Sequence, residues 1–237
     1  MKMSIKLLTV MLVAALFSVT TALAEPIGAG EVEPITSSRY NDSVTPGSTD
    51  AQAGNLTQLQ LNSTGVTRTW QGFYGNITGT LILADSAGNN FYDWNVSTPS
   101  GQVYASRNDT ISWTGVDCID PATITAEESY LGKDATDPDS ITNTFTATNH
   151  PSFFIGSSET TSCPSTQAYG DGGSQDSEFW QVLLQDTSSN TIYTTIIEEA
   201  VTQGFNNLPW HFQLLVGENG QPGNEAPTPY YFYVELN

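Results

Sequence analysis

The chain has 237 residues, and its 25 acidic side chains outnumber six lysines and arginines, which gives a formal net charge of −19. A surface this acidic repels a phosphate backbone, so nucleic acid and anionic membranes are poor partners. Two histidines and two cysteines outside any Cys-x-x-Cys pair argue against a zinc site. The length suits one large all-β domain or two small packed ones.

The N-terminus has the pattern of a secretory signal peptide. Lys2 and Lys6 precede an apolar run that ends at the small-x-small site Ala22–Ala24. The run is too short to cross a bilayer with margin. We therefore assign residues 1–24 to a signal peptide and start the mature chain at Glu25. We expect a secreted or cell-surface protein with no membrane span in the mature chain. Loss of the two lysines takes the net charge from −19 to −21.

Residues 25–55 are rich in Gly, Pro, Ser, Thr and Asp and lack apolar periodicity, which predicts a disordered lead-in. This segment serves either as a plain spacer or as a strand donated to a neighbouring molecule. Six Asn-x-Ser/Thr sequons, all before Ile111, are candidate glycosylation sites in a secreted chain. They are Asn41, Asn55, Asn62, Asn76, Asn95 and Asn108.

From Leu56 onward the dominant hydrophobic period is two, which is typical of strands with one buried face. Turn residues separate these runs at short spacing. The pattern predicts an all-β domain over residues 56–237, an antiparallel β-sandwich of the Ig-like or jelly-roll-like kind. It divides into two hairpin-based halves, about 56–118 and 178–237. One short helix fits Pro121 to Leu131, followed by Gly132 as a stop.

Two stretches of the chain match without gaps. Leu81–Tyr92 and Val182–Tyr193 share the frame apolar-apolar-Leu-x-Asp-[Ser/Thr]-x-x-Asn-x-apolar-Tyr. A polar turn between two strands accounts for most of the frame, because Asp and Asn are favoured turn residues. Convergent hairpins and a duplicated module explain the match equally well. Either origin indicates that both halves contain hairpins.

The two cysteines, Cys118 and Cys163, are predicted to form one disulfide outside the cytoplasm. The bond would close a loop of roughly 45 residues and contribute roughly 4 kcal/mol through the entropy of the unfolded chain. The alternative is a pair of free, buried thiols.

Catalytic patterns are weak in this chain. His150 and His211 are the two histidines, and no Gly-x-Ser-x-Gly elbow is present. Glu127–Glu128 and Glu198–Glu199 provide paired carboxylates of the kind a glycosidase uses, but we interpret both pairs as solvated surface acids. We therefore expect no catalytic residues and no enzymatic activity.

Calcium is the better ionic hypothesis, because flexible loops with hard oxygen ligands suit this ion. Two acidic loops offer such ligands: Asp134, Asp137 and Asp139 in the first, and Asp171, Asp176 and Glu178 in the second. We take Asp134, Asp137 and Asp139 as the metal candidates. Neither loop has EF-hand spacing, and the alternative is two solvated loops on an acidic surface.

The aromatic residues suggest a further binding surface. Most of them, Trp94 included, fall at strand positions that predict core packing. Tyr230 to Tyr233 are consecutive, so two of these four aromatics must point to the other face of the C-terminal strand. We take Tyr231 and Tyr233 as candidates for stacking on sugar rings or on a partner chain. A sheet that is buried on both faces would remove this role.

The block Trp70-Gln-Gly-Phe-Tyr-Gly-Asn-Ile-Thr-Gly79, with Leu81–Asp85, Tyr92–Trp94 and Gly101–Ala105, resembles a recurring block in secreted archaeal proteins of unknown function. The closing strand Tyr230–Leu236 resembles their C-termini, and the likeness covers most of residues 54–237. The resemblance implies an archaeal, exported, all-β surface protein. It implies no catalytic residue.

Together these features predict a secreted or cell-surface β-sandwich with a structural, adhesive or assembly role. Its expected partners are cell-surface components, other copies of itself and, in some settings, glycans. The alternative is a carbohydrate-binding or calcium-dependent recognition module. No cofactor other than calcium is expected.

Overall fold

The computed structural model describes residues 25–40, 46–219 and 227–237. The signal peptide assigned to residues 1–24 and the sequon at Asn41 lie outside the described residues. Antiparallel strands dominate the described chain, with two short helices, α1 (Pro121–Leu131) and α2 (Ile141–Thr144). The prediction of an all-β antiparallel fold is confirmed. Within these ranges, no helix has the length and apolar character needed to cross a membrane.

The strands follow in chain order: β1 (Ile27–Gly28), β2 (Trp70–Gly75), β3 (Gly79–Ala84), β4 (Asn90–Val96), β5 (Gly101–Ser106), β6 (Asp117–Cys118), β7 (Phe153–Ile155), β8 (Ser158–Thr160), β9 (Ser165–Tyr169), β10 (Gln175–Gln185), β11 (Thr191–Ile196), β12 (Thr202–Gln203), β13 (Pro209–Trp210), β14 (Phe212–Gly217) and β15 (Tyr231–Leu236).

Seven strands form a central sheet in the order β1-β15-β5-β11-β10-β6, and β9 also pairs with β10. All of these pairings are antiparallel. The sheet is buried on both faces: Leu183 of β10 belongs to one core cluster, and Val182 and Leu184 belong to the other. Burial on both sides explains why three apolar residues follow one another in β10 without a polar interruption.

The pair β2–β14 covers one face of the central sheet and completes the sandwich. Leu214 and Val216 of β14 lie in the same buried cluster as Val103 of β5 and Leu183 of β10. Each fully buried side chain of this kind contributes about 1.5–3 kcal/mol. The predicted antiparallel β-sandwich is therefore confirmed.

The opposite face of the sheet is covered by the β7–β8 hairpin and by the loop before β6. Phe153 and Val116 pack there with Tyr104 in the second core cluster. The predicted disulfide between Cys118 and Cys163 is also confirmed. It tethers β6, which pairs with Leu184 and Gln185 of β10, to the segment before β9.

Helix α1 has the bounds predicted for it, and its local sequence explains them. The Asp120 side chain accepts a hydrogen bond from Thr123 N at 2.7 Å, and Pro121 occupies the first turn. Gly132 follows the helix with φ of 65°, a conformation that glycine adopts without strain. The helix places Leu131 in the first core cluster and Glu127 beneath the end of the central sheet.

The described segment before β2 contains one short strand. Ile27 and Gly28 form β1 and pair with Val234 and Tyr233 of β15, so the lead-in closes one edge of its own sheet. No other helix or strand lies in its described residues. Leu59 and Leu61 alternate with polar residues, a pattern that predicts a strand, yet both side chains are exposed and the next strand begins at Trp70. Alternation alone supplies no strand to pair with.

Strands β3 and β4 form a separate two-stranded sheet. Every residue of the pair is exposed except Gly79 and Val96 at its base. The base is fixed to the sandwich at Gly79, where a side chain would collide with Cδ1 of Leu236. The rest of this hairpin, from Thr80 to Asn95, projects into solvent.

Candidate functional site

A cleft of about 450 Å³ opens at the end of the central sheet, where β5 ends and β11 and β15 begin. Because these strands are antiparallel, Ser106 at the end of β5 lies opposite Tyr231 at the start of β15. Helix α1 supplies Thr123, Ala126 and Glu127 to one wall, and the β10–β11 turn supplies another. Four segments that are distant in sequence therefore build this cleft.

An ion pair forms the floor of the cleft. Arg107 donates from Nη1 and Nη2 to the two carboxylate oxygens of Glu127 at 2.5 and 2.6 Å. Tyr193 Oη and Thr191 Oγ1 donate to the same carboxylate at 2.8 and 3.2 Å. The Arg107 guanidinium also lies 3.7 Å from the ring centre of Tyr130. Bidentate pairs of this type fix both side chains in one geometry.

The electrostatics of the floor favour the charged form of Arg107. Burial opposes the charge of Arg107, but the hydrogen bonds and charge of Glu127 outweigh burial and raise the arginine pKa. Burial, reinforced by the charge of Glu127, raises the pKa of Tyr193 well above its ordinary value, so this hydroxyl keeps its proton. Four hydrogen bonds saturate the Glu127 carboxylate, and its role in the cleft is to hold Arg107 and α1 in place.

The interpretation of Glu127 and Glu128 as solvated acids is wrong. Both residues are only 4% exposed. Glu128 accepts a hydrogen bond from Thr142 N at 2.9 Å and so links α1 to α2. Buried carboxylates need such partners, because an unpaired charge in the interior is costly.

The two predicted aromatic contacts have different surroundings. Tyr231 lines the cleft and is 41% exposed. Tyr233 is partly buried; its ring packs 5.1 Å from Trp113, and its hydroxyl donates to the backbone oxygen of Asn108 at 3.3 Å. Tyr231 is therefore the one of the two with a ring face available beside the cleft.

Two of the three metal candidates, Asp137 and Asp139, have carboxylates that accept hydrogen bonds from protein donors. Asp139 accepts from Lys133 at 2.7 Å and from the hydroxyls of Thr67 and Thr69 at 2.8 Å each. Burial opposes its ionisation, but these hydrogen bonds outweigh burial and lower the Asp139 pKa to about 2. Asp137 accepts from Asp134 N at 2.9 Å. Within residues 25–40, 46–219 and 227–237, no three acidic, His or Cys side chains converge as a metal site.

The second acidic loop borders a smaller cleft of about 330 Å³ beside β12. Asp171, Asp176 and Glu178 line it. Burial and the charges of Asp176 and Asp171 raise the pKa of Glu178. The negative charges of this cleft therefore repel one another.

The β3–β4 hairpin presents a second candidate surface. Leu81 lies opposite Trp94 and Leu83 opposite Tyr92, so these four side chains share one face of the hairpin. We call them the apolar hairpin face. Their exposed fractions are 50, 50, 51 and 58% respectively. The expectation that Trp94 belongs to the core is wrong.

The other face of this hairpin is more polar. Thr80 lies opposite Asn95, and Ile82 lies opposite Asp93. Asn95 is one of the sequon residues, and it is exposed, as are Asn55, Asn62 and Asn76. Asn108 is half-buried and lines the cleft, where its side chain accepts from Thr110 N at 3.0 Å.

Sequence reasoning missed Arg107 and the exposure of the β3–β4 hairpin. A signal for Arg107 existed, because it is one of four basic residues after residue 24 and directly follows strand β5. No local signal marks the β3–β4 hairpin as exposed, since the sequences of its strands resemble those of β10 and β11.

No family model, curated protein or solved structure matches the chain.

Proposed function

We propose that the chain is a secreted or cell-surface protein with a structural and adhesive role, and that the β3–β4 hairpin is its attachment surface. The signal-peptide pattern supports export, as does the disulfide between Cys118 and Cys163, because such bonds persist in oxidising compartments. The resemblance to secreted archaeal all-β proteins points the same way.

The observation that carries this proposal is the exposure of apolar side chains along the hairpin. Leu81, Leu83, Tyr92 and Trp94 are each at least half exposed, and Phe91 is 84% exposed. A two-stranded hairpin alone is marginally stable in water. Contiguous apolar patches larger than a few hundred Å² mark interaction sites. A hairpin of this composition therefore gains stability when a partner covers it.

Attachment is tested by mixing the exported chain with washed cell envelopes of the producing organism and sedimenting the envelopes. The unmodified protein is expected to sediment with them. A Leu81→Asn, Trp94→Ser variant is expected to bind at least tenfold more weakly. Ile82→Asn, on the other face of the same strand, is the matched control and is expected to bind normally. Retention of the unmodified protein in the supernatant would contradict the proposal.

Carbohydrate recognition at the Arg107–Glu127 cleft is the second candidate function. Tyr231 offers an exposed ring at the rim, and the lining is rich in hydroxyl and amide groups, including those of Ser189, Asn190 and Thr191. Sugars bind through such a combination of ring stacking and hydrogen bonds. The ordered ion pair gives the cleft a fixed shape before any ligand enters.

A glycan panel titrated with and without calcium tests this second function. Tyr231→Ala is expected to abolish binding, and Tyr231→Phe to retain it, since the ring supplies the stacking surface. Tyr169→Ala, at a tyrosine that is 55% exposed elsewhere, is the control. Binding that depends on calcium and is lost in Asp137→Asn would support the calcium-dependent form. Equal binding by all variants would reject the cleft as the site.

A further inference from the structure

The apolar hairpin face lacks the inner partner that its pattern implies. One face of the hairpin carries Leu81, Leu83, Tyr92 and Trp94, and the Tyr92 and Trp94 rings lie 4.9 Å apart. The opposite face carries the polar residues Thr80, Asp93 and Asn95, with Ile82 as an apolar member. An antiparallel sheet with one apolar and one polar face normally packs its apolar face against a second sheet. In the described chain, this face remains open to solvent.

The open area is of the size that matters for association. Four side chains that are about half exposed, with about 150–250 Å² for each aromatic one, leave roughly 400 Å² of apolar surface. Two such faces packed together would bury roughly 800 Å² in total, before any contribution from neighbouring side chains. This is the size of a weak and reversible association, which the high local concentration at a cell surface would strengthen.

Charge indicates which partner suits the face. The four side chains are uncharged, and the charged member of the hairpin strands, Asp93, lies on the opposite face. Two copies of this acidic chain can therefore meet here without placing carboxylates against each other. A basic partner would instead require acidic groups within the contact, which this face does not offer.

The geometry points to a second copy of this chain as the occupant: the apolar hairpin faces of two molecules pack against each other about a twofold axis. Such an isologous contact uses the same patch twice and closes as a dimer. The sequon residue Asn95, on the opposite face of each hairpin, stays on the outside of the pair. This inference rests on the proposed attachment role of the hairpin and names its partner.

The first test is sedimentation velocity of the exported full chain over a range of protein concentrations and at low and high salt. The expected result is a reversible monomer–dimer equilibrium in the micromolar range. Raising the salt concentration is expected to strengthen it, because salt screens the repulsion between two acidic molecules while the apolar contact persists. A chain that stays monomeric throughout, or a dimer that dissociates in high salt, would overturn the inference.

Paired variants locate the contact. Leu81→Asn with Trp94→Ser is expected to weaken dimerisation at least tenfold, and Ile82→Asn is expected to leave it unchanged. Circular dichroism checks that each variant is folded. A second measurement does not depend on disruption: Leu83→Cys treated with a short bismaleimide is expected to give a crosslinked dimer, and Ile82→Cys is not. Equal crosslinking of the two variants would overturn the inference.

The outcomes separate this inference from the proposed function. A monomeric chain that still binds envelopes through the apolar hairpin face would reject the second copy and leave the attachment role intact. A chain that dimerises but does not bind envelopes would support a second copy as the occupant of the apolar hairpin face and reject attachment to other surface components.

Discussion

The β3–β4 and β10–β11 hairpins close with the same turn but lie in opposite environments. Each turn begins with an aspartate, Asp85 in the first hairpin and Asp186 in the second. One carboxylate oxygen of that aspartate accepts hydrogen bonds from two backbone amides. The other oxygen accepts one from the side-chain amide of an asparagine, Asn89 or Asn190 respectively. Yet Leu83 is 51% exposed, whereas the aligned Leu184 is fully buried. Local sequence therefore determines the turn, and position in the sandwich determines burial.

The two hairpins also differ just beyond the turn. In β10–β11, Leu184 lies opposite Ile192, in regular register. In β3–β4, the register shifts, so that Leu83 lies opposite Tyr92 and Phe91 is left over. This bulge places Tyr92 and Trp94 on one face with the leucines. The shift converts a strand pair fit for a central sheet into one with a single apolar face.

The largest expected difference between the two hairpins concerns the disulfide. It tethers β6, which lies beside the β10–β11 hairpin and not beside the β3–β4 hairpin. Replacing Cys118 and Cys163 by serine is expected to lower the free energy of unfolding by about 4 kcal/mol, because the bond closes a long loop in the unfolded chain. Denaturant unfolding measures the loss, and hydrogen exchange locates it. Amides of β10 and β11 are expected to exchange faster, while those of β3 and β4 keep their rates. Equal acceleration in both hairpins would break the comparison.

The aligned leucines provide the next test. Leu184→Ala is expected to cost about 2–5 kcal/mol, since it leaves a cavity between the sheet and its cover. Leu83→Ala is expected to cost less than about 1 kcal/mol in the monomer, because half of that side chain is already in water. Urea unfolding at low protein concentration, where association is absent, makes the measurement. Similar losses for the two variants would show that the β3–β4 hairpin is buried in the free chain.

Alanine substitutions at the two turn aspartates are expected to differ less in their stability cost than those at the aligned leucines. Burial opposes ionisation of Asp186, but hydrogen bonds from Asn190, Ser188 and Ser112 outweigh it and lower its pKa. Bonds from Asn89 likewise lower the pKa of Asp85, which is exposed. Asp186→Ala is expected to cost about 2 kcal/mol at pH 7, and Asp85→Ala clearly less.

The stability cost of Asp186→Ala is expected to depend on pH in a defined direction. An aspartate with a lowered pKa stabilises the fold above its unfolded value of 3.8, and the contribution is lost as pH falls through the folded value. The gap between the unmodified protein and Asp186→Ala is therefore expected to narrow in urea titrations below pH 3.8. A gap that is constant from pH 7 to acid pH would contradict a role for the ionised carboxylate.

Sequence predicted the features that depend on neighbouring residues. Pro121 and Gly132 predicted the bounds of α1 because helix start and stop signals are local, and period-two alternation predicted the strand class. Prediction from the sequence failed where the burial of a residue depends on segments that are distant along the chain. Glu127 is buried because Arg107, twenty residues earlier, reaches it, and Trp94 is exposed although its strand resembles a core strand. The cleft required four segments to meet, which alternation cannot predict.

The smallest effects test the turn itself, and they are expected to have opposite signs. Gly88 and Ser189 hold the same turn position, with φ of 83° and 60°. A residue with a side chain pays about 1–2 kcal/mol in this left-handed region, while glycine does not. Ser189→Gly is therefore expected to raise the free energy of unfolding by up to about 1 kcal/mol. Gly88→Ala is expected to weaken the β3–β4 hairpin by about the same amount, measured by hydrogen exchange of its amides, because that hairpin opens without unfolding the sandwich. If both substitutions shifted stability in the same direction, the two turns would not share one conformation, and the comparison between the hairpins would fail at its starting point.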